Sequence, residues 1–250
     1  MAGSRLPCRL LVHGPSAGAW NMAVDEALLK TADAERIATL RLYEWAAPTL
    51  SLGYFQPAAD RHQHLASLEC PLVRRTSGGG AILHDQELTY SFAMPIERQS
   101  AADAARLSVS IHESLATALA RLGISASLCQ ETAPRNAEQP FLCFARRAVG
   151  DLLVHDCKIA GSAQRRRRGA ILQHGSVLLA SSRFAPELPG LLELTGQAIL
   201  AGSAGELFQA AVGDRFNVEW MAQAESSPIA KRAATLLAEK FSLASWNLRR

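Results

Sequence analysis

The chain has 250 residues, of which 48% are hydrophobic and 20% charged, with a net charge of +3 at pH 7. That is the balance of an ordinary globular protein with room for one large domain or two small ones, and it is too weakly basic to argue nucleic-acid binding. No run of about 18 apolar residues exists to span a bilayer. The opening MAGSRLPCRLLVHG lacks the long apolar core of a secretory signal, so the cytoplasm is the expected compartment.

In chain order, residues 9–13 predict a short strand and 19–34 a helix, with Trp20, Ala23, Ala27 and Leu28 near helical spacing. Strands are expected at 38–45 and 49–53, interrupted by Pro48, and again at 70–75, which runs into Ser77-Gly78-Gly79-Gly80. Ala81–His84 and Glu87–Met94 read as two strands joined by a tight turn at Asp85-Gln86. Ser100 to Leu122 is the clearest helix: Leu107, Ile111, Leu115, Leu119 and Leu122 form one apolar stripe. Ser100 with Asp103 resembles a capping box, and Gly123 stands where the C-terminal cap belongs. Residues 130–140, with Pro134 and Pro140, predict an irregular loop that delivers the chain to Cys143. Asp151–Val154 and Lys158–Ala163 predict a hairpin, and Ala170–Leu179 a further strand. The last 65 residues favour helices, for instance 204–212 and 228–241. The expected architecture is α+β: a mostly antiparallel sheet flanked by helices, its core about 15–185, with 186–250 a helical C-terminal extension of the same domain.

The chemistry concentrates in 141–179. The five cysteines, Cys8, Cys70, Cys129, Cys143 and Cys157, include no Cys-x-x-Cys pair, which argues against a structural zinc site. Disulfides are not expected in a reducing compartment. Cys143 follows the proline-bearing loop and precedes Arg146 and Arg147, whose charges favour a thiolate. Lys158 sits among small and apolar residues, where a partly desolvated amine exchanges protons more readily. Cys157 is a rival nucleophile, but successive strand residues face opposite ways, so it cannot share the face of Lys158. Gly161, Ser162 and Ala163 are small enough to leave a ligand room, and His174 on the next strand can reach the same cavity.

Arg75-Thr76-Ser77-Gly78-Gly79-Gly80 joins strand to strand. It lacks both the helix and the Gly-Lys-Ser/Thr end of a phosphate loop. Its glycines let a backbone wall approach a ligand closely, with His84 a short step beyond. No Gly-x-Ser-x-Gly elbow supports a serine hydrolase. Arg165 to Arg168 form a basic run, readable as a solvated loop or as a docking surface for an acidic protein.

Arg75-x-Ser-Gly-Gly-Gly-x-x-x-His-Asp, Lys158-Ile-Ala-Gly-Ser-Ala-Gln and Gln173-His-Gly-Ser occur in the order found in the biotin/lipoate–protein ligase and octanoyltransferase superfamily, which this chain resembles over about residues 15–185. With Cys143-Phe144 upstream and Glu87-Leu-Thr-Tyr-Ser91, the chain looks like the octanoyltransferases of the Gram-positive type. The resemblance implies the catalytic-domain fold of that superfamily. It also implies an octanoyl thioester on Cys143, with Lys158 stabilising the thiolate. Arg75, Ser77, Gly78, Gly79, Gly80, His84, Gly161, Ser162, Ala163, His174 and Gly175 are the implied substrate-binding set. Octanoyl–acyl carrier protein would be the donor, and a lipoyl domain or the glycine-cleavage H protein the acceptor. No cofactor, metal, nucleic acid or membrane is implied, and a monomer is expected. The alternatives are an ATP- and Mg²⁺-dependent lipoate ligase, to which Ser77–Gly80 is closer in pattern, an octanoyl amidotransferase between lipoyl domains, and a non-catalytic binding protein.

Overall fold

The computed structural model describes residues 5–97, 100–131, 140–221 and 227–249. Strand β1 (Leu6–Ser16) leads into α1 (Gly18–Glu35), β2 (Ala38–Trp45) and β3 (Thr49–Leu52). Two 3₁₀ turns then precede β4 (Leu72–Arg74), β5 (Ile82–His84), β6 (Glu87–Pro95) and α2 (Ala101–Ala120). Next come β7 (Ser127–Leu128), a 3₁₀ turn at Cys143–Ala145, β8 (Leu152–Val154), β9 (Cys157–Arg167) and β10 (Ala170–Leu178). The remainder holds α3 (Leu191–Thr195), α4 (Ala201–Phe216), β11 (Val218–Met221), α5 (Ser227–Leu236) with a π-helical turn at Leu237–Phe241, and α6 (Ala244–Asn247).

Eight strands form one mixed sheet in the order β11-β1-β2-β6-β10-β9-β8-β7. Only the pairings of β1 with β11 and β2 are parallel. The expected α+β class is the one observed. Side-chain alternation assigns the layers. Leu40 and Leu42 of β2 and Tyr90 and Phe92 of β6 pack beneath α2 and α4, against Ile111, Leu115, Phe208 and Val212. On the other face Tyr43 and Leu172 meet Met22, Val24 and Leu28 of α1, which α5 covers with Ile229 and Ala233. Of the α2 stripe, Leu107, Ile111, Leu115 and Leu119 are buried as the spacing predicts, each stabilising the fold by about 1.5–3 kcal/mol, whereas Leu122 falls in the turn after the helix and is half-buried. Ser100 Oγ accepts the Asp103 amide at 2.9 Å, and Gly123 takes φ 77° just past the helix end.

Four expectations change. β5 and β6 are not a hairpin. β5 pairs with β3 in a separate three-stranded sheet, β4-β3-β5, whereas β6 pairs with β2 and β10. Asp85-Gln86 therefore carries the chain between sheets, because alternation announces a strand and not its partner. β1 is longer than 9–13, since β11 and β2 give both its edges partners. The segment after 185 is not only helical: β11 extends the main sheet beside β1, and Phe208 and Val212 enter the main core. Arg165–Arg167 are no loop but the exposed end of β9, with Arg168 at φ 39° opening the turn into β10. Of the predicted loop at 130–140, residues 132–139 lie outside the described residues.

Candidate active site

The β8–β9 hairpin aims Lys158. His155 and Asp156, at φ 47° and 63°, make its two-residue turn. Leu153 pairs with Lys158 but Leu152 with Ala160, leaving Ile159 as the extra residue of a bulge. Lys158 Nζ lies 3.8 Å from Cys143 Sγ and donates to the Cys143 carbonyl at 3.4 Å. It is ion-paired with Asp151 at 2.8 Å, both side chains being nearly buried, and stands 5.3 Å from the centroid of the Phe144 ring. Asp151 Oδ2 also accepts the Ala148 amide at 2.7 Å, which fastens the loop after Cys143 to the same carboxylate. A side chain at Gly161 would meet Lys158 Cε at 2.6 Å and Nζ at 2.9 Å. The space that the small residue leaves is filled by the lysine folding back along its own strand, not by a ligand.

Cys143 begins its 3₁₀ turn half-buried, its amide donating to the Ala81 carbonyl at 2.7 Å. It is thereby stitched to the exit of the glycine turn. Cys8, Cys70 and Cys129 are buried, and burial pushes the Cys8 thiol up to about 12. Cys157 is half-buried on the neighbouring position of β9.

The glycine turn is held from behind. Arg75 is buried; its Nη1 donates to the Ser51 carbonyl at 2.9 Å, and its Nη2 to the Gly78 and Gly80 carbonyls at 3.2 and 2.8 Å. Burial pulls its guanidinium down to about 10, opposed by the charge of Cys143. Gly79, at φ 90°, is exposed. Ser77 Oγ meets His174 Nε2 at 2.5 Å, and His174 Nδ1 meets Asp25 Oδ2 at 2.8 Å. Asp25 further accepts from Arg41 at 2.9 Å and Ser91 at 2.6 Å. Burial alone would raise the Asp25 carboxyl, but the His174 hydrogen bond and the Arg41 charge hold it below the usual carboxylate range. His84 stacks on Trp45 at 3.9 Å and bridges Glu87 at 2.6 Å to Ser51 at 2.7 Å.

The sequence-derived set therefore divides. Cys143, Lys158, Gly79, Gly80 and Ser162 line one open cleft of about 650 Å³, together with Gln56, Arg146, Arg147, Ala148 and Asp151. Arg75, His84, Ala163, His174 and Gly175 line a constricted space of about 20 Å³ with Tyr43 and Met22. Ser77 and Gly161 are support for their neighbours, and Gly78 offers its carbonyl to Arg75. Sequence reasoning missed Asp151, Asp25 and Gln56. Asp151 was within reach: once the turn at His155-Asp156 is placed, it falls one step beyond the Leu152–Ala160 pair, beside Lys158. Asp25 and His174 are 149 residues apart, and nothing local joins them.

This fold is that of the lipoate–protein ligases. A lipoate-protein ligase A bound with ATP superposes with a TM-score of 0.79 at 20% identity, covering 97% of this chain and 99% of that one. A bi-partite lipoate protein ligase from Thermoplasma acidophilum gives 0.78 at 18% identity, covering 98% of each chain. The chain belongs to the lipoyl protein ligase A/B catalytic domain family, whose model matches residues 17–192. Among curated relatives, an octanoyltransferase LipM of Oceanobacillus iheyensis is 39% identical over 174 residues, 68% of this chain and 63% of that protein. Another of Bacillus anthracis is 30% identical over 270 residues, 95% of this chain and 96% of that protein. The match to the O. iheyensis protein thus spans less than two thirds of its length. No helix among the described residues is long and apolar enough to cross a membrane.

Proposed function

We propose that the chain is an octanoyltransferase that carries its cargo as a thioester on Cys143. The observation that carries this reading is the approach of Lys158 Nζ to Cys143 Sγ, 3.8 Å, in a cleft that Gly79 and Gly80 also line. A cation at that distance stabilises a sulfur anion, and the thiolate is the nucleophilic form. Asp151 holds the ammonium in place.

In this reading the Cys143 thiolate attacks the thioester carbonyl of octanoyl–acyl carrier protein. The new carbon–sulfur bond forms as the carrier's sulfur departs and takes up a proton. The exposed Gly79 and its neighbours give the acyl group a close backbone wall. The amine of an acceptor lysine, on a lipoyl domain or the glycine-cleavage H protein, then attacks the octanoyl-enzyme. The amide forms, and the amine's surplus proton goes to Cys143 sulfur. The names of the LipM relatives support the octanoyl cargo. Arg147 and Arg165–Arg168 are exposed beside the cleft and along the β9 end, a surface suited to acidic carrier and acceptor proteins. In this reading the enzyme acts as a monomer in the cytoplasm.

Intact-mass measurement tests this directly. Mixed with octanoyl–acyl carrier protein, without ATP or acceptor, the protein gains one octanoyl group, and Cys143→Ser does not. Acceptor modification that strictly requires ATP would instead assign the chain to the ligases.

A further inference from the structure

Residues 241–249 lie well beyond the stretch matched by the family model, yet they reach the glycine turn through one side chain. Arg74 is fully buried beside Arg75. Its Nη1 donates to the carbonyls of Gly53 at 2.9 Å and Gln56 at 2.6 Å. Its Nη2 donates to those of Asn247 at 3.1 Å and Arg249 at 3.0 Å, and its Nε to that of Trp246 at 3.2 Å. The backbone answers: Asn247 Oδ1 accepts the Arg74 amide at 2.9 Å, and Trp246 Nε1 donates to the Arg74 carbonyl at 3.1 Å. Arg249 Nη2 donates to the Tyr54 carbonyl at 3.1 Å, its guanidinium 3.9 Å from the centroid of the Tyr54 ring.

The loop clamped in this way, Gly53–Gln56, touches the site at three points. The Tyr54 amide donates to the Ser77 carbonyl at 2.8 Å. Gly53 abuts the turn so closely that a Cβ there would lie 2.0 Å from the Gly79 carbonyl oxygen. Gln56 lines the cleft itself.

We propose that residues 241–249 are a positioning element of the acyl-transfer site, with Arg74 coupling them through Gly53–Gln56 to the glycine turn. The inference rests on the acyl-transfer reading for its functional part. Its physical basis is that a buried guanidinium is expensive to leave with unmet donors. Without its acceptors at 246–249, Arg74 must reorient, and the loop whose carbonyls it holds must move with it. The substrate wall then loses its fixed place.

The test compares the full chain with a chain ending at Leu243, and with Asn247→Ala and Arg249→Ala, which leave the carbonyls that Arg74 uses but remove the bonds of Asn247 Oδ1 to the Arg74 amide and of Arg249 to the Tyr54 carbonyl, so the clamp is tested even if the shortened chain does not fold. Amide hydrogen exchange at 53–56 and 77–80 should quicken about tenfold or more while β2 and β6 keep their protection. KM for the octanoyl donor should rise about tenfold, with the saturating acylation rate changed less than about twofold. Unchanged exchange at 53–56 and 77–80 overturns the coupling. Quickened exchange with an unchanged KM overturns the positioning role. A full-length chain that takes no octanoyl group at all removes the transfer reading instead, and the exchange measurement still decides the coupling.

Discussion

Replacing Asp151 with asparagine separates the two partners of Lys158. At 2.8 Å and an effective dielectric near 20, the pair's attraction is about 6 kcal/mol. Breaking a buried pair from one side costs about 3–5 kcal/mol, because the other charge is left uncompensated. Asparagine keeps an oxygen for the Ala148 amide, and the ammonium keeps its contacts with Cys143, so the lower end applies. The expected loss is about 3 kcal/mol, or about 6–12 °C in melting temperature for a chain of this size. Reactivity should move the other way. Freed from Asp151, the ammonium has Cys143 as its nearest electronegative partner, so iodoacetamide should alkylate Cys143 faster in Asp151→Asn and more slowly in Lys158→Met. Denaturant melts of both single variants and the double variant give the coupling, expected at about 2–3 kcal/mol. Equal slowing of alkylation in both single variants, or a loss under about 1 kcal/mol in Asp151→Asn, would refute the reasoning.

Acid should destabilise the protein between about pH 6.5 and 4. Burial, then the charge of Arg41, pulls His13 down to about 4, and its Nδ1 accepts from Arg41 Nε at 3.0 Å. The unfolded chain therefore takes up this proton near the ordinary histidine value while the folded chain does not, so stability falls with pH across that window and is flat above it. Burial lowers His84 and His112 in the same direction, and urea midpoints at pH 7.5 and 4.5 should lie closer together in His13→Gln. Gly53→Ala should destabilise by about 2 kcal/mol and abolish acylation, since its Cβ meets backbone that cannot swing aside; a variant melting like the parent would count against that packing. Limited alkylation should label Cys143 first, and Cys157→Ser should leave that rate unchanged, as peptide mass mapping will read.

Much of this protein was legible one element at a time. The α2 stripe and its Ser100 cap, and the β8–β9 hairpin with Lys158 at the start of its second strand, all follow from interactions within a few residues, which periodicity and turn chemistry report. The family was legible too, since its three motifs stand in the expected order within the stretch that the family model matches. Tertiary structure decided which groups meet the cleft and which stand behind it. Arg75, Ser77 and His174 look like ligand contacts in the sequence, but their partners are carbonyls, a hydroxyl and a carboxylate brought from Ser51, the glycine turn and Asp25. Gly161 makes room for Lys158, and Arg74 finds three of its acceptors 172 to 175 residues away. Polar groups buried in a core must find partners wherever the chain happens to pass, and that passage is fixed by sheet order and layer packing, which no local pattern encodes.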